Sequence, residues 1–358
     1  MPQTREHLSI LELLGISRGC VVLTKCDLVD AETLELAKED TREAFSGTFL
    51  EYAPLFPVSC KTGAGISTLR DAVLRISQTI PEHSAKRPFR MAADRVFTLD
   101  GFGTVVTGTV LDGTVFEGQE VEIYPEGKTV RVRALQTCGE PVKSVSAGQR
   151  AALNLARVKP EEVSSGDWLA ASGSQMAVTR LEIKLSLLND TVRTLKNGAR
   201  LHLHLGTGCV VCRVSLAQVD MLKAGETAYA QLRLETPVCA FAGDRFVVRF
   251  YSPVETIGGG VILDARPRRQ KRLDSTAVER LKLYDTGSLS QQIGYEVSHR
   301  AMGRASLAAL FPHVEPDRLT QAVETLCHAG KLCTAGELFL TPQQQKAYQE
   351  QILLALKD

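Results

Sequence analysis

Short strands of alternating apolar and polar residues, separated by turns that contain glycine, fill the sequence from residue 88 to residue 266. No long helical pattern interrupts them, and this spacing is typical of closed β-barrels. The predicted strands of the first set are 95–99, 104–111, 120–124, 129–135, 150–156 and 168–171, and those of the second set are 178–187, 200–205, 210–217, 229–234, 246–251 and 256–263. The sequence therefore predicts two antiparallel β-barrels, at residues 88–173 and 174–266.

The first 82 residues show a different pattern, in which strands alternate with helices. The apolar runs 19–23 and 55–58 are typical of strands buried on both faces of a parallel sheet. A helix is predicted after Gly65, with an apolar side formed by Ile66, Leu69, Val73 and Ile76. This pattern predicts an α/β domain over residues 1–82, and the polar segment 81–88, with a proline at each end, is predicted to be a linker.

Two short motifs, TKCD at 24–27 and SCKTG at 59–63, follow the two predicted strands of this α/β domain. They lie at the edge where open α/β sheets bind their ligands. Asp27 accepts hydrogen bonds only, so it suits the adjacent N–H donors of guanine, and the aliphatic stem of Lys25 can lie along the base. A backbone N–H of the second motif could reach the guanine carbonyl oxygen. The candidate guanine-binding residues are Thr24, Lys25, Asp27, Ser59, Cys60 and Lys61. The alternative is two ordinary βα loops of a Rossmann-like domain.

The phosphate-binding motif G-x-x-x-x-G-K-[ST] has no match in the sequence. The nearest approach is Gly127-Lys128-Thr129, but Glu122 stands where the first glycine is required, and a hairpin turn is predicted there. The run 101–103 also fails the dinucleotide fingerprint, because position 106 is Val. We therefore expect the chain to be inactive in GTP hydrolysis by itself.

Composition limits the remaining functions. Lys and Arg number 42 against 41 Asp and Glu, so any RNA contact depends on local basic patches. The nine cysteines, the absence of a signal-peptide pattern and the absence of a membrane-length apolar run predict a reduced cytoplasmic protein. Cys209 and Cys212 lack a second metal-binding pair, and a third ligand for His202 and His204 is not evident, so no metal site is predicted.

The order of motifs resembles that of translational GTPases of the elongation factor Tu class, and within it the bacterial selenocysteine-specific elongation factors. The motifs are MPQTREH at 1–7, TKCD at 24–27, SCKTG at 59–63, DRVFTLDGFGTVVTGTV at 94–110, SAGQRAALNL at 146–155, GDRFVVRF at 243–250 and TIGGGVILD at 256–264. The resemblance implies GTP or GDP with Mg as cofactor and a monomer that binds selenocysteinyl-tRNA and the ribosome. The full-length family also binds an mRNA hairpin, through a reader domain that is expected to be largely missing here. It also implies that residues 1–82 are the C-terminal half of a GTP-binding domain, with Met1 an internal methionine.

By the same resemblance, the aminoacyl pocket lies on the first barrel and comprises Asp94, Arg95 and Arg150. A selenol is more acidic than a thiol, whose pKa is about 8.5, so a selenocysteinyl group is an anion near neutral pH whereas a seryl group is not. Two guanidinium groups can donate charge-assisted hydrogen bonds to that anion, with Asp94 orienting one of them. The alternative is a local surface ion pair without a binding role.

The C-terminal region shifts in character again. A basic run could contact RNA phosphates or form a solvated linker, and its members are Arg266, Arg268, Arg269, Lys271 and Arg272. A helix at 316–329 followed by strands at 331–333 and 338–340 predicts a winged helix over 273–341. A further helix from Pro342 suggests the start of another winged-helix segment at 342–358. The alternative is a helix pair that binds protein.

These patterns lead to two functional hypotheses. In the first, the chain is part of an elongation factor that delivers selenocysteinyl-tRNA in a GTP-dependent way. In the second, it is a standalone RNA- or tRNA-binding module with a vestigial nucleotide fold. An ordinary elongator is disfavoured by the Arg95 and Arg150 pair and by the winged helix. Residues 1–80 are expected to be the least stable part, with apolar surface exposed around residues 21–23 and Val58.

Overall fold

The computed structural model of the protein describes residues 2–80, 85–99, 103–267 and 273–356. The chain divides into two compact units, Met1–Glu82 and His83–Asp358. The helices are α1 (Pro2–Leu13), α2 (Ala31–Ala44), α3 (Ile66–Ser77), α4 (Ser275–Thr286), α5 (Leu289–His299), α6 (Arg304–Leu310), α7 (Pro316–His328) and α8 (Pro342–Ala355).

The first unit is built on a parallel pair of three-residue strands, β1 (Val21–Leu23) and β2 (Leu55–Pro57), in which Val21 lies opposite Leu55. Helix α2 begins where the Asp30 carboxylate accepts a hydrogen bond from the Thr33 backbone N–H. Helix α3 begins at Gly65, whose φ is 73°. A Cβ atom there would lie 2.2 Å from the Pro57 carbonyl oxygen, so glycine lets the helix start directly against the end of β2.

The predicted burial of this unit was partly wrong. Val21 and Val58 are buried, although apolar surface was expected to be exposed there, whereas Val22 is 36% exposed, so β1 is not covered on both faces. In α3 the buried residue is Ala72, with Leu69 and Ile76 half-buried beside it, whereas Val73 is exposed. The stripe 69, 72, 76 follows helical spacing, so a small alanine takes the central position that was assigned to a larger side chain.

The first barrel contains nine described strands, six of which close a cylinder. The closed order is β10-β4-β3-β11-β6-β7, completed by pairing of β7 with β10, while β8 adds to β7 and β5 pairs with β9. Its core is fully buried and includes Met91, Val106, Leu153 and Leu169. The strands are β3 (Arg90–Leu99), β4 (Gly103–Asp112), β5 (Thr114–Phe116), β6 (Glu120–Tyr124), β7 (Lys128–Thr137), β8 (Glu140–Val142), β9 (Ser144–Ser146), β10 (Arg150–Ala156) and β11 (Trp168–Ala170).

The second barrel is closed in the order β12-β17-β15-β14-β18-β19, and β13 pairs with β16 beside it. A Cβ atom at Gly260 would lie 1.9 Å from the Lys184 carbonyl oxygen, so glycine allows β19 to approach β12 and close the barrel. The strands are β12 (Ala177–Leu187), β13 (Leu195–Lys196), β14 (Arg200–Leu205), β15 (Gly208–Leu216), β16 (Met221–Leu222), β17 (Thr227–Cys239), β18 (Arg245–Phe250) and β19 (Thr256–Asp264).

A buried arginine joins the two barrels. The Arg90 guanidinium donates to Asp112 of its own barrel at 2.6 Å and to both carboxylate oxygens of Asp244 of the second barrel at 2.6 and 2.9 Å. It also lies over the rings of Trp168 and Phe241. Because every charge in this cluster is paired, its burial is tolerated, whereas removal of one partner would leave an unpaired buried charge.

The C-terminal region packs on the second barrel through α4. Arg280 of α4 pairs with the fully buried Glu182 and, at 2.5 Å, with Asp264, and Leu281 is buried against the barrel wall. Beyond it, α5, α6 and α7 surround a three-stranded antiparallel sheet of order β20-β22-β21, which is the arrangement of a winged helix. These strands are β20 (Met302–Gly303), β21 (Cys333–Ala335) and β22 (Leu338–Leu340).

The predicted strand at 331–333 was shifted by two residues. The backbone N–H groups of Lys331 and Leu332 both donate to the Leu326 carbonyl oxygen, which closes the end of α7 and delays the strand to Cys333. The predicted fold class is nevertheless confirmed, as a partial α/β domain, two antiparallel barrels and a C-terminal winged helix. Within the described residues, no helix has the length and apolar character needed to cross a membrane.

Candidate functional site

A β-bulge on the outer face of the first barrel positions the predicted aminoacyl pocket. In the pairing of β3 with β4, Ala93 lies opposite Gly108 and Arg95 lies opposite Thr107, so Asp94 is the extra residue of the bulge. Bulges disturb the strict alternation of side chains between the two faces of a sheet. Here Asp94 is half-buried and Arg95 is exposed, so neither residue points into the barrel core.

Asp94 has a separate partner for each carboxylate oxygen. The Arg150 Nη1 atom, on β10, lies 2.5 Å from Asp94 Oδ2. The Thr107 hydroxyl, on β4, donates to Asp94 Oδ1 at 2.6 Å. Partial burial raises the pKa of Asp94, but the hydrogen bonds from Arg150 and Thr107 and the charges of Arg150 and Arg95 outweigh it, so the pKa lies below its ordinary value.

The three charged residues carry a surplus of one positive charge. The Arg95 side chain makes no ion pair or hydrogen bond with any residue in the described ranges, although its charge acts on Asp94. Arg150 keeps 57% of its side chain exposed despite its ion pair. The structure therefore brings Asp94, Arg95 and Arg150 together at a surface where an anion could approach both guanidinium groups.

The two predicted guanine motifs also lie side by side. Both follow the carboxyl ends of the paired strands β1 and β2, and the Cys26 backbone N–H donates to the Val58 carbonyl oxygen at 3.2 Å. Lys25 has a φ of 61° and a ψ of 34°, an uncommon conformation for a residue other than glycine. This conformation turns the chain so that Thr24, Lys25 and Asp27 are exposed at the sheet edge.

Ser59 supports the second predicted guanine motif through hydrogen bonds with its backbone. It is fully buried, and its hydroxyl accepts hydrogen bonds from the backbone N–H groups of Lys61 and Thr62, both at 3.2 Å. Its own N–H donates to the Ala64 carbonyl oxygen at 3.0 Å. Ser59 therefore supports the loop, while the exposed Cys60 and Lys61 are the residues that a base could contact.

The guanine-base half of a nucleotide site fits these residues better than the phosphate half does. The exposed Asp27 carboxylate and the loop at Cys60 supply an acceptor and backbone donors at one edge of the sheet. In the described part of the chain, no group of three or more His, Cys, Asp or Glu side chains is arranged to hold a metal ion. The described residues at this edge therefore fit the guanine base and do not form a site for Mg.

Only one member of the predicted basic run can be placed. Arg266 is exposed, and its backbone N–H donates to Asp264 Oδ1 at 2.7 Å. Arg268, Arg269, Lys271 and Arg272 lie outside the described residues.

The structure gives His202 and His204 a neighbour that the sequence did not reveal. Pairing of β14 with β15 sets Cys209 opposite His204, and its Sγ atom lies 3.7 Å from His202 Nδ1 and 3.8 Å from His204 Nε2. Burial, together with the charges of Arg249 and His202, lowers the pKa of His204. The His202 ring also stacks on Tyr251 at 5.1 Å, so these residues form a packed cluster on the barrel wall.

Three family models match successive parts of the chain. The Elongation factor Tu GTP binding domain matches residues 1–79, Elongation factor Tu domain 2 matches residues 103–170, and the beta-barrel domain of the selenocysteine-specific elongation factor matches residues 180–269. The selenocysteine-specific elongation factor of Desulfomicrobium baculatum is 39% identical over 272 residues, which are 76% of this chain and 43% of that protein. The chain belongs to the selenocysteine-specific elongation factor family.

A second relative supports the same assignment. The selenocysteine-specific elongation factor of Escherichia coli K12 is 36% identical over 274 residues, which are 76% of this chain and 42% of that protein. The chain thus spans less than half the length of these curated relatives.

Solved structures show the same fold. The translation elongation factor SelB of Methanococcus maripaludis, in its apo form, matches with a TM-score of 0.65 at 25% identity, covering 74% of this chain and 62% of that one. The same protein has been solved with the GTP analogue GPPNHP. A bacterial selenocysteine-specific elongation factor, EF-Sec, matches with a TM-score of 0.69 and covers 100% of this chain and 68% of that one, and at 23% identity it shows the fold alone.

These matches confirm the resemblance that the sequence motifs indicated. The roles of individual residues, including Asp94, Arg95 and Arg150, stay predictions. Sequence reasoning missed Thr107 altogether, although its hydroxyl holds one oxygen of Asp94. An alternating strand pattern carries no signal for a bulge, and without the bulge the contact between Thr107 and Asp94 could not be anticipated.

Proposed function

We propose that this chain acts in the delivery of selenocysteinyl-tRNA to the ribosome and holds the aminoacyl end on the outer face of the first barrel. Membership of the selenocysteine-specific elongation factor family supports this function. We further propose that it works in the cytoplasm as a monomer, together with the mRNA hairpin that marks the insertion site.

The observation that carries the proposal is the surplus cation on the outer face of the first barrel. Asp94 neutralises Arg150, which leaves the exposed Arg95 with no ion pair within the described residues. A selenolate can accept charge-assisted hydrogen bonds from Arg95 and from the exposed part of Arg150, and such bonds contribute about 1.5–3 kcal/mol each.

A seryl group offers no charge to this pocket. Its approach removes water from Arg95 and Arg150 without replacing it by an anion, so the guanidinium groups lose solvation and gain little. Discrimination then comes from charge, because the selenocysteinyl side chain is an anion near neutral pH and the seryl hydroxyl is neutral.

The α/β unit would bind guanine through the two motifs at its sheet edge. Asp27 would accept the paired N–H donors of the base, Lys25 would lie along its face, and the loop at Cys60 would donate to its carbonyl oxygen.

Replacement of Arg150 by Ala tests the aminoacyl pocket. The variant frees Asp94 to pair with Arg95, so both cationic donors are lost to the selenolate. We expect the affinity ratio of selenocysteinyl-tRNA over seryl-tRNA, measured by filter binding with one tRNA body, to fall at least about tenfold.

Arg200→Ala provides the matched control. Arg200 is also an exposed arginine paired with a carboxylate, Glu235, at 2.7 Å, but it lies on the second barrel. This variant should keep the wild-type ratio. A ratio that is unchanged in Arg150→Ala would rule out the proposed pocket.

A further inference from the structure

We infer that Thr107 is a positioning residue that keeps the Arg95 guanidinium available for an anionic aminoacyl group. This inference rests on the proposed function and adds a residue to the same site. Thr107 itself is not expected to touch the selenium atom. It acts through Asp94, whose Oδ1 atom accepts its hydroxyl hydrogen at 2.6 Å.

Each carboxylate oxygen of Asp94 already has a partner. Oδ2 is engaged by Arg150 at 2.5 Å, and Oδ1 is engaged by Thr107. A carboxylate accepts hydrogen bonds through both of its oxygens, and an arginine guanidinium readily donates to one or both of them. With both oxygens already engaged, Asp94 offers Arg95 a weaker hydrogen-bonding partner than a free carboxylate oxygen would.

We expect Arg95 to donate a hydrogen bond to Asp94 Oδ1 if that oxygen has no other partner. In the strand pairing Arg95 lies directly opposite Thr107, and its charge already acts on Asp94. Loss of the Thr107 hydroxyl would leave Oδ1 free to accept a hydrogen bond from the Arg95 guanidinium, whose charge already acts on Asp94. Asp94 would then bind both arginines, and an incoming anion would have to compete with it.

The backbone around Thr107 cannot move easily to change this arrangement. A Cβ atom on the neighbouring Gly108 would lie 2.2 Å from the Ala92 carbonyl oxygen, so β4 approaches β3 very closely beside the bulge. On the other side, β10 pairs with β4, with Ala152 opposite Thr107. The hydroxyl of Thr107 is therefore held at a fixed place relative to Asp94.

The experiment compares Thr107→Val with Thr107→Ser in the full chain. Valine keeps the shape and removes the hydroxyl, whereas serine keeps the hydroxyl. Affinities for selenocysteinyl-tRNA and seryl-tRNA with the same tRNA body are measured for both variants and the wild type, with thermal unfolding as a check on folding.

We expect Thr107→Val to bind selenocysteinyl-tRNA about tenfold more weakly and seryl-tRNA within about twofold of wild type. We expect Thr107→Ser to resemble the wild type for both. A merely structural role would lower both affinities together, so equal losses would overturn the inference. So would a wild-type ratio in Thr107→Val, or the same loss in Thr107→Ser.

The wild-type measurement separates this inference from the function on which it rests. If the wild type shows no preference for selenocysteinyl-tRNA, the proposed function fails, and the role of Thr107 fails with it. If the wild type shows the preference and Thr107→Val retains it, the pocket stands and only the role of Thr107 is overturned.

Discussion

Residues 2–80 and the two barrels differ in how completely they bury their apolar side chains. The barrels bury nearly all their inward-facing side chains, including Met91, Leu153, Leu185 and Phe246, at 0% exposure. In residues 2–80 the buried apolar side chains are Leu8, Val21, Val58 and Ala72. The large apolar side chains exposed there are Leu11, Leu14, Ile16, Val22, Leu28, Val29, Leu36, Tyr52, Ile66, Val73, Leu74 and Ile80.

The difference follows from topology. A closed antiparallel barrel pairs each strand on both edges with its own neighbours and encloses its core. A parallel sheet requires cover on both faces and usually more than two strands. The pair β1 and β2 has three residues in each strand, so it is too small to enclose a core of its own.

Two leucine substitutions test this difference in burial, and they should give the largest effect. Leu185→Ala removes a fully buried side chain from the second barrel and should lower the free energy of unfolding by about 3 kcal/mol. Leu74→Ala removes a side chain that is 55% exposed on α3 and should cost no more than about 0.5 kcal/mol.

Urea denaturation measures both effects. Trp168 is the only tryptophan and is buried at the barrel junction, so its fluorescence reports the barrels, while amide exchange reports residues 2–80. Amide exchange should be faster in residues 2–80 than in the barrel strands. Equal costs for the two substitutions, or equal protection of the two regions, would contradict the comparison.

Acid should destabilise the second unit through a half-buried histidine, His313. Burial, together with the charges of Arg87 and Arg90, lowers the pKa of His313 to about 4, although Asp244 and Asp112 act in the opposite direction. The unfolded chain takes up a proton near pH 6.5, whereas the folded protein does so only near pH 4. Stability is therefore complete above pH 6.5 and is lost as the pH falls from 6.5 to 4, by about 3 kcal/mol.

His313→Gln removes this titration. The difference in unfolding free energy between the variant and the wild type should change between pH 6.5 and pH 4 and stay constant above pH 7. Calorimetry across that range checks it. Parallel pH profiles for the two proteins would show that His313 is as accessible to protons in the folded state as in the unfolded chain.

The barrels could be predicted from the sequence because side-chain alternation reports directly on a closed sheet. Each of the twelve predicted strands overlaps an observed one. Ribbons of two or three residues, such as the pair β13 and β16, were missed because they are too short to show a period. Strand β3 starts at Arg90, earlier than predicted, because a buried arginine interrupts the expected apolar pattern.

The burial of side chains in the α/β unit and the hydrogen bonds of the aminoacyl pocket could not be predicted from side-chain alternation. The central place of Ala72 depends on which face of α3 meets the sheet, and residue size does not report that. Asp94 and Arg150 were predicted from family resemblance, whereas the contact between Thr107 and Asp94 depends on a backbone bulge. The charged residues of the pocket could be predicted from the sequence, but the Thr107 hydroxyl that donates to Asp94 could not.

If charge selects the aminoacyl group, cysteine should be accepted only when its thiol is ionised, and this is the most direct test of the pocket. A cysteinyl thiol, with a pKa of about 8.5, is mostly neutral at pH 7 and mostly an anion at pH 9.5, while a seryl hydroxyl stays neutral throughout. The measurement is the affinity of the full chain for cysteinyl-tRNA and seryl-tRNA, joined through a stable amide, across this range. The account predicts that cysteinyl-tRNA gains about tenfold over seryl-tRNA as the pH rises, and an unchanged ratio would contradict it.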